Sequence, residues 1–437
     1  MSAIRIVDAS DTAAVRHLLW PDRDRDGETE QRVAAIVADV RRDGESALLR
    51  YAREFDRLDG DFEVSKKEMQ AATKTVAPGV RRAIRVAARN IRAVAKKQVP
   101  RGWRANVGPG ITVEQRIVPL DRVGCYVPGG RYPLPSTLLM TAIPAAVAGV
   151  KDVIVACPKP DAVVMAAALE AGASRLFRIG GAQAIAALAY GTQSVPRVDK
   201  IVGPGNRYVA AAKALVAADC GIDFYAGPTE IVIVSAKGSP EWIAADLIAQ
   251  AEHDPDARSV LITPNRSLAA QVASVVAETM PPTGPAADSI RVHGGIIVTK
   301  SIKEAMALAN SAAAEHLVVD DDALADQVRS AGSVFVGSWS AQVAGDYAIG
   351  SNHVLPTAGA ARVRGGLSAA DFVKQITVQR LTRRGLSTIG PSVIALAQAE
   401  GLTAHAASIT VRLPAYAKAT AGPPKLREGG KADPTSD

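Results

Sequence analysis

The hydrophobic and polar positions along the chain follow a helical period at first and an extended period later. Apolar residues recur every three or four positions through 13–20, 31–55 and 66–97. Because that spacing forms one apolar helix face, the first hundred residues are predicted to be mainly helical. From about residue 111 the period gives way to short runs of valine, isoleucine and leucine that end at glycine or proline.

Between residues 150 and 314 these short apolar runs alternate with helical patterns. The runs predict strands at 150–157, 176–179, 200–202, 231–235, 259–263 and 296–299. The helical patterns fall at 162–171, 182–190, 207–218, 242–252, 268–280 and 302–314. Continuous apolar strands alternating with helices are typical of parallel sheets covered on both faces. Two such series predict an α/β protein with two doubly wound domains, and after residue 365 the helical period returns until about residue 399.

Composition and charge narrow the class of protein. The 437 residues are 48% hydrophobic and 22% charged, which is typical of a globular protein. The net charge of +7 is spread among acidic residues, and no nucleic-acid-binding module is recognisable, so no nucleic acid is expected as a partner. The longest apolar stretch, 138–150, is too short to cross a bilayer, and the first residues do not resemble a signal peptide. A cytoplasmic protein without a membrane partner is expected.

Four of the six histidines lie in short polar segments that could carry chemistry. These segments are Gln250-Ala251-Glu252-His253, Ala314-Glu315-His316-Leu317, the loop 345–357 with Asp346 and His353, and Glu400-Gly401-Leu402-Thr403-Ala404-His405. Gln250 and His253 are three residues apart and are expected to share a helix face. Taken singly, three of the segments are better explained by a solvated helix end or an ordinary turn after a helix, whereas a carboxylate and an imidazole in one loop favour function. The nitrogen and oxygen donors Gln250, His253, Asp346 and His405 fit Zn²⁺, and also Mn²⁺ or Co²⁺.

Three glycine turns could receive an anionic cofactor. Gly203-Pro204-Gly205-Asn206 follows a predicted strand and opens a predicted helix, where backbone amides can meet phosphate. It lacks the third glycine of a dinucleotide-binding fingerprint. Gly129-Gly130-Arg131 and Gly180-Gly181-Ala182-Gln183 are similar. Each turn alone is better explained by a tight connection between a strand and a helix.

Taken together and in order, these motifs resemble the histidinol dehydrogenase family. The resemblance runs from about residue 25 to about residue 413 and is carried by several long motifs. They are residues 124–131, Gly203-Pro204-Gly205-Asn206, Ala226-Gly227-Pro228-Thr229-Glu230, the Gln-Ala-Glu-His and Ala-Glu-His-Leu segments, the Asn-His-Val-Leu-Pro-Thr segment and the Glu-Gly-Leu-Thr-Ala-His segment.

The resemblance implies an enzyme that oxidises an amino alcohol, L-histidinol, through an aldehyde to L-histidine with two NAD⁺. It implies that His316 removes the alcohol proton and that Glu315 activates water. The implied zinc ligands are Gln250, His253, Asp346 and, from the second copy of a homodimer with shared active sites, His405. The implied substrate contacts are Thr229, Gln250, His253, His316, Asp346, His353, Glu400 and His405, and the implied NAD⁺ contacts are Tyr126, Gln183 and Asn206.

The resemblance also implies a domain organisation. Both α/β domains are expected to be Rossmann-like with a degenerate nucleotide motif, and small helical lobes at both ends are expected to form a domain-swapped dimer. The expected parts are a helical segment at 1–25, a first α/β domain from 26–123 and 228–365 with a helical start, an NAD-binding α/β domain at 124–227, a helical dimerisation lobe at 366–416 and a disordered tail at 417–437.

One position departs from the family pattern. Thr229 stands where serine is common, and related dehydrogenases of other small alcohols, including sulfonated diols, can share this motif. Glu400 favours histidinol, because a carboxylate suits a cationic or imidazole-bearing substrate and would repel a sulfonate. A dehydrogenase of another alcohol is therefore the first alternative. A non-enzymatic zinc protein is the second, and the presence of both Glu315 and His316 argues against it.

Overall fold

The computed structural model describes residues 4–20, 26–129, 132–225 and 227–413. In chain order the strands are β1 (Arg5–Asp8), β2 (Trp103–Gly108), β3 (Ile111–Pro119), β4 (Arg122–Tyr126), β5 (Asp152–Ala156), β6 (Arg175–Phe177), β7 (Lys200–Val202), β8 (Gly221–Ile222), β9 (Glu230–Val234), β10 (Arg258–Thr263), β11 (Gly295–Val298), β12 (His316–Val319), β13 (Ser333–Val336) and β14 (Val373–Leu381).

In the described part of the chain, five helices precede β2. In chain order they are α1 (Thr12–Leu19), α2 (Gly27–Asp43), α3 (Glu45–Phe55), α4 (Lys66–Thr75), α5 (Pro78–Gln98), α6 (Pro135–Ala148), α7 (Ala162–Ala171), α8 (Gly181–Tyr190), α9 (Arg207–Val216), α10 (Pro240–Ala251), α11 (Arg266–Thr279), α12 (Pro285–His293), α13 (Ile302–Ala312), α14 (Asp322–Ala325), α15 (Gln342–Tyr347), α16 (Arg383–Ala399) and α17 (Thr403–Thr410). Short 3-10 turns cover Ala360–Arg362 and Ala369–Phe372.

Two compact units divide the chain. The first contains residues 1–99 and 119–373, and the second contains residues 100–118 and 374–437. The first unit holds a six-stranded sheet in the order β1-β11-β10-β9-β12-β13 and a five-stranded sheet in the order β6-β5-β4-β7-β8, and the strand pairs of both are parallel. The second unit holds the sheet β14-β3-β2, together with α16 and α17, which pack on each other. The predicted α/β fold with parallel sheets is confirmed.

Alternating side chains explain why both parallel sheets are buried on two faces. In β9, Ile231 and Ile233 belong to a cluster with α10, α11 and α12, whereas Val232 and Val234 belong to a cluster with α1 and α13. In β5, Val153 and Val155 face α4 to α7, and Ile154 and Ala156 face α2, α3, α8 and α9. Successive residues of a strand point to opposite faces, so a strand covered on both sides must be apolar throughout.

The predicted elements of the two α/β series agree with the structure, and each boundary lies within two residues of the observed one. The helices of residues 27–98 pack on the five-stranded sheet, although they were expected in the same domain as residues 228–365, which form most of the six-stranded sheet. Their helical period does not encode which sheet they cover, because any apolar helix face can pack on either sheet.

Two predictions of helix are wrong. Residues 5–8 form β1, which pairs with β11 at the edge of the six-stranded sheet, although residues 1–25 were expected to be helical. Residues 373–381 form β14 in the region expected to be a helical lobe. Both segments are largely exposed, so they lack the apolar run that identifies a buried strand, and only pairing with distant residues makes them extended.

Further observations concern the cysteines and membrane-spanning helices, and two expectations stay open. All three cysteines are buried and free. In the described ranges no helix is both long enough and apolar enough to cross a membrane. The cytoplasmic location stays a prediction, and the expected disordered tail at 417–437 lies outside the described residues.

Candidate active site

Buried polar side chains meet at the edge of the six-stranded sheet where β9 and β12 begin. Thr229 immediately precedes β9, and Glu315 immediately precedes β12, which starts with His316. Because the helix that follows a parallel strand runs back along the sheet, its last turn returns to this same edge. The last turn of α10 therefore contributes Gln250, and the short helix α15 contributes Asp346.

A chain of hydrogen bonds joins Gln250, Thr229 and Glu315. The side-chain amide of Gln250 donates from Nε2 to Thr229 Oγ1 at 2.5 Å, and the Thr229 hydroxyl donates to Glu315 Oε2. The backbone amide of Glu230 also donates to Glu315 Oε2, at 2.9 Å. Burial raises the pKa of the Glu315 carboxyl, although the neighbouring His316 and these donors oppose that rise. These contacts hold the carboxyl group in one orientation, and the net rise in its pKa makes it a stronger base.

His316 is held by contacts to both of its ring nitrogens. Nδ1 lies 3.3 Å from the carbonyl oxygen of Glu230, and Nε2 lies 3.6 Å from Asp346 Oδ1. A carbonyl oxygen can only accept, so Nδ1 carries the proton and Nε2 of the neutral ring keeps its lone pair. Burial alone would lower the pKa of His316, but Glu315 and Asp346 outweigh it and the net shift is upwards.

Asp346 connects several of the predicted residues. Its Oδ2 accepts from Gln342 Nε2 at 2.6 Å, and its backbone carbonyl lies 3.0 Å from His353 Nδ1. Burial raises the pKa of Asp346, but His316, His353 and His253 together lower it below its usual value. His253 is exposed and lies two residues beyond the end of α10.

Three local predictions for these segments need correction. The helix that carries Gln250 ends at Ala251, so His253 follows the helix and does not share its face. Glu315 and His316 lie at the buried start of a strand rather than at a helix end. Asp346 lies in α15, whereas it was expected in a loop. Each error arises because the strand or helix boundary is set by tertiary pairing and not by the local pattern.

Gln250 has the property expected of an uncommon metal ligand. Its Oε1 is fully buried and has no hydrogen-bond partner, whereas its Nε2 is engaged by Thr229. A buried acceptor without a partner is costly unless an ion or a ligand satisfies it, so the amide oxygen fits a cation site. No group of three or more His, Cys, Asp or Glu side chains in the described ranges is arranged to hold a metal ion.

The remaining predicted residues of this set lie in different surroundings. The half-buried His353 has Nε2 at 3.2 Å from Thr137 Oγ1, and burial lowers its pKa. Glu400 follows α16 and His405 lies in α17, and both are exposed residues of the second unit.

The three predicted NAD⁺ contacts line one cavity at the carboxyl edge of the five-stranded sheet. The cavity has a volume of about 460 Å³ and includes Tyr126, Gln183 and Asn206 in its wall. The backbone amide of Gly181 donates to the Tyr126 hydroxyl at 3.1 Å, and Asn206 caps α9 by accepting from two backbone amides. A nucleotide cofactor fits the volume of this cavity, its position at the carboxyl edge of the sheet and the N-terminus of α9 in its wall.

Some residues of these sites were not found from the sequence. Gln342 lies four residues before Asp346 on one helix, a spacing that could have indicated the contact. Glu230 stands in the motif beside Thr229, and nothing in that motif indicates that its carboxyl is buried. Asp56 lines the cavity beside Tyr126 and comes from a distant helical segment, for which the sequence offers no signal.

Comparison with known proteins agrees with the resemblance found in the motifs. Residues 21–413 match the histidinol dehydrogenase family. Histidinol dehydrogenase of Methanothermobacter thermautotrophicus is 47% identical over 395 residues, with 87% of this chain and 92% of the relative covered. Histidinol dehydrogenase of Cereibacter sphaeroides is 45% identical, with 91% and 94% covered.

A solved structure extends the agreement to three dimensions. The crystal structure of histidinol dehydrogenase from Elizabethkingia anophelis matches with a TM-score of 0.90 at 33% identity, with 95% of this chain and 99% of that chain covered. The motifs, the fold and the relatives lead to one assignment. The chain is a member of the histidinol dehydrogenase family.

Proposed function

We propose that the protein converts L-histidinol, water and two NAD⁺ into L-histidine, two NADH and three protons, with L-histidinal as the intermediate. The observation that carries this proposal is the pair Glu315 and His316, two buried bases that adjacent contacts hold in fixed orientations. A four-electron oxidation needs one base for the alcohol and one for the water that attacks the aldehyde, and the pair supplies both.

His316 removes the proton of the alcohol. Its Nδ1–H is anchored on the Glu230 carbonyl, which fixes the tautomer and leaves the buried Nε2 without a hydrogen-bond partner. An imidazole nitrogen whose lone pair makes no hydrogen bond is available to accept a proton.

Glu315 activates the water in the second oxidation. Both hydrogen bonds that the described residues make to its carboxyl end on Oε2, from Thr229 and from the Glu230 amide. Oε1 is then the oxygen that receives a proton from water. The burial that raises the pKa of this carboxyl makes it a stronger base than an exposed glutamate.

The residues around Gln250 hold a zinc ion in this proposal. The unpartnered Gln250 Oε1 is one ligand, His253 and Asp346 are two more, and His405 of the partner subunit is the fourth. When bound, zinc supplies a positive charge that orients the amino and imidazole nitrogens of the substrate. Gln342 fixes Asp346 by its hydrogen bond to Oδ2, as the neighbours of metal ligands generally do.

The cavity between Tyr126, Gln183 and Asn206 receives the cofactor. NAD⁺ supplies the hydride acceptor for both oxidations. At Gly180 the backbone lies close to the side chain of Pro158. A Cβ at this position would lie 2.7 Å from that side chain. This closeness accounts for glycine in the turn that precedes α8.

The threonine at position 229 is compatible with histidinol as the substrate. Thr229 uses its hydroxyl both to accept from Gln250 and to donate to Glu315, and serine could do the same. Threonine at this position is therefore compatible with the common serine and does not by itself indicate another substrate. His353 and Glu400 are the further substrate contacts in this proposal.

The stoichiometry of the reaction tests the proposal. Purified protein loaded with zinc is incubated with L-histidinol and NAD⁺, and NADH is counted against histidine. Two NADH for each histidine is the expected result. Absence of turnover, or preference for a sulfonated diol in a parallel assay, would contradict the choice of histidinol.

The variant Glu315→Gln separates the two oxidations. We expect oxidation of supplied L-histidinal to fall about 10²–10⁴-fold, because the amide cannot take a proton from water, while the alcohol step continues. Single-turnover measurements with each substrate give both rates. Glu278→Gln removes an exposed carboxylate on α11 and is the matched control. An unchanged aldehyde step in Glu315→Gln would assign the water-activating role to another residue.

A further inference from the structure

An acidic side chain that no motif indicated projects into the cofactor cavity. Asp56 follows α3, in the helical layer that packs on the five-stranded sheet, and lines the same cavity as Tyr126, Gln183 and Asn206. The three motif residues belong to the sheet and its connections, whereas Asp56 is supplied by the surrounding helices. The helical layer thus adds an acidic side chain, Asp56, to a cavity at the edge of the sheet.

Two hydrogen bonds to one oxygen hold the Asp56 carboxyl in place. Its Oδ2 accepts from the backbone amide of Gly180 at 3.0 Å and from Gln183 Nε2 at 3.1 Å. A carboxylate has about four acceptor positions over its two oxygens. Both contacts end on Oδ2, so Oδ1 retains capacity to accept from a ligand. A Cβ on Gly180 would lie 2.9 Å from Oδ1, so glycine is needed where the turn approaches this oxygen.

Asp56 brings a carboxyl group into the wall of the cavity. Of the described residues in the cavity wall, Asp56 and Arg32 are the charged ones. Arg32 is exposed, with its guanidinium 5.8 Å from the centre of the Phe55 ring. Burial raises the pKa of Asp56, whereas the Gly180 amide, Gln183 and the charge of Lys159 lower it. At mildly alkaline pH the carboxyl is ionised and can only accept hydrogen bonds.

An ionised carboxylate distinguishes two kinds of ribose. It accepts hydrogen bonds from a sugar with free hydroxyl groups, as acidic residues in other dinucleotide sites do. A phosphate on the same sugar would bring negative charge next to a partly desolvated carboxylate, and the repulsion is strong where water is scarce.

We propose that Asp56 is the specificity-determining residue of this cavity, which accepts hydrogen bonds from a cofactor ribose and rejects a dinucleotide that is phosphorylated on that ribose. The inference rests on the proposed function in that a nicotinamide dinucleotide occupies the cavity. It adds the residue that selects between the two forms of that cofactor.

A purely structural role for Asp56 predicts a different result. If the carboxylate served only to orient Gln183 and the turn at Gly180, its removal would weaken both dinucleotides equally. Selection against phosphate instead predicts that the two affinities change in different proportions. The ratio of the affinities is therefore the decisive quantity.

The experiment measures binding of NAD⁺ and NADP⁺ to the full-length protein by calorimetry at mildly alkaline pH. The variants are Asp56→Asn and Asp56→Ser, which remove the charge, and Asp56→Glu, which keeps it. Asp59→Asn alters an exposed carboxylate three residues away and is the matched control. We expect wild type, Asp59→Asn and Asp56→Glu to prefer NAD⁺, and the two uncharged variants to shift the ratio towards NADP⁺ by about 10-fold or more.

An unchanged ratio in both uncharged variants would overturn the inference, and so would a wild-type protein that binds the two dinucleotides equally or binds neither. If one uncharged variant does not fold, the other and Asp56→Glu still give the ratio. Should the ratio shift as expected in a protein that binds NAD⁺ but does not oxidise histidinol, the inference on Asp56 would stand and the proposed function would fail.

Discussion

The hydroxyl group of Thr229 acts as donor and acceptor at once. It accepts from Gln250 and donates to Glu315, so one side chain orients a proposed metal ligand and a proposed base. A hydroxyl can do both, whereas a methyl group can do neither. The methyl group that distinguishes threonine from serine takes no part in these two bonds.

We therefore expect Thr229→Val to lower the rate of L-histidinal oxidation about 10- to 100-fold, because a hydrogen bond to a charged group contributes about 1.5–3 kcal/mol. Thr229→Ser keeps the hydroxyl and should remain within a few-fold of wild type. Steady-state rates with supplied L-histidinal compare the two variants. Equal rates for valine and serine would show that the hydroxyl does not orient Glu315.

Glu230 carries a buried carboxyl whose ionisation works against folding. Burial, aided by the charge of Glu315, raises the pKa of Glu230 to about 7, and its Oε1 has no hydrogen-bond partner. The folded protein therefore holds a proton on Glu230 at a pH where the unfolded chain has released it. Stability from this group is complete below pH ~4.5 and is lost as the pH rises towards 7.

Glu230→Gln should remove that loss. We expect the variant to gain stability over wild type as the pH rises from about 5 to about 8, with a difference of roughly 3 kcal/mol at the upper end. Urea unfolding at several pH values measures the change, and Glu278→Gln serves as control. A difference between Glu230→Gln and wild type that does not grow with pH would mean that Glu230 is not protonated in the folded protein.

Motifs in the sequence singled out several residues that lie close together in the structure. Glu315, His316, Gln250 and Asp346 all come from short polar segments, and the structure brings their side chains into one buried cluster or its edge. Asp56 could not be found in this way. Its role depends on how a helix packs on a sheet more than a hundred residues away, and no local pattern encodes that contact.

At the scale of elements, the two parallel sheets use opposite edges. The proposed cofactor cavity lies where β4 ends, at the carboxyl edge that open α/β sheets usually use for ligands. The Glu315 and His316 cluster lies where β9 and β12 begin. Strand and helix patterns predicted the elements but could not predict which edge carries chemistry, because both edges of a parallel sheet end in similar polar turns.

The connection between β7 and α9 depends on a buried ion pair. Lys213 and Asp223 form a salt bridge with side chains that are 3% and 1% exposed. Lys213 Nζ also donates to the Gly203 carbonyl at 3.0 Å, and the Gly203 amide donates to Asp223 Oδ2 at 2.8 Å. Gly203 has φ of 114°, a conformation that favours glycine. The two members of the pair therefore bind the carbonyl and the amide of Gly203, the residue that begins the turn before Asn206.

Lys213→Met should destabilise the fold by about 3–5 kcal/mol, because it leaves the Asp223 carboxylate buried without its cation. It should also weaken NAD⁺ binding, since the turn that presents Asn206 loses a contact at Gly203. Urea unfolding and calorimetry measure the two effects. Lys74→Met, on the exposed side of α4, is the control. Full stability in Lys213→Met would indicate that Asp223 is protonated or hydrated in the folded chain.

At the scale of the whole molecule, local periodicity predicted the two parallel sheets and missed the third sheet. In a parallel series each strand is followed by its own helix, so the repeat is visible within a short window of sequence. The sheet β14-β3-β2 instead joins residues 103–119 to residues 373–381. Pairing over such a separation is decided by the folded chain, and the exposed residues of β14 carry no apolar pattern that indicates it.

The proposed sharing of His405 between two copies of the chain can be tested by hybrid dimers. His316→Asn and His405→Asn should each abolish turnover as homodimers. After the two proteins are mixed, unfolded and refolded together, half of the dimers contain one chain of each kind. In such a hybrid, one site combines intact Gln250, His253, Asp346 and His316 from one chain with the intact His405 from the other.

The mixture should therefore regain about a quarter of wild-type activity, since half of the dimers carry one working site of two. Each variant refolded alone is the control and should stay inactive. If all four donors came from a single polypeptide, every site in the hybrid would keep one lesion and no activity would return. Recovery thus depends on exchange of the second unit's histidine between chains, and an inactive mixture of folded dimers would refute the shared site.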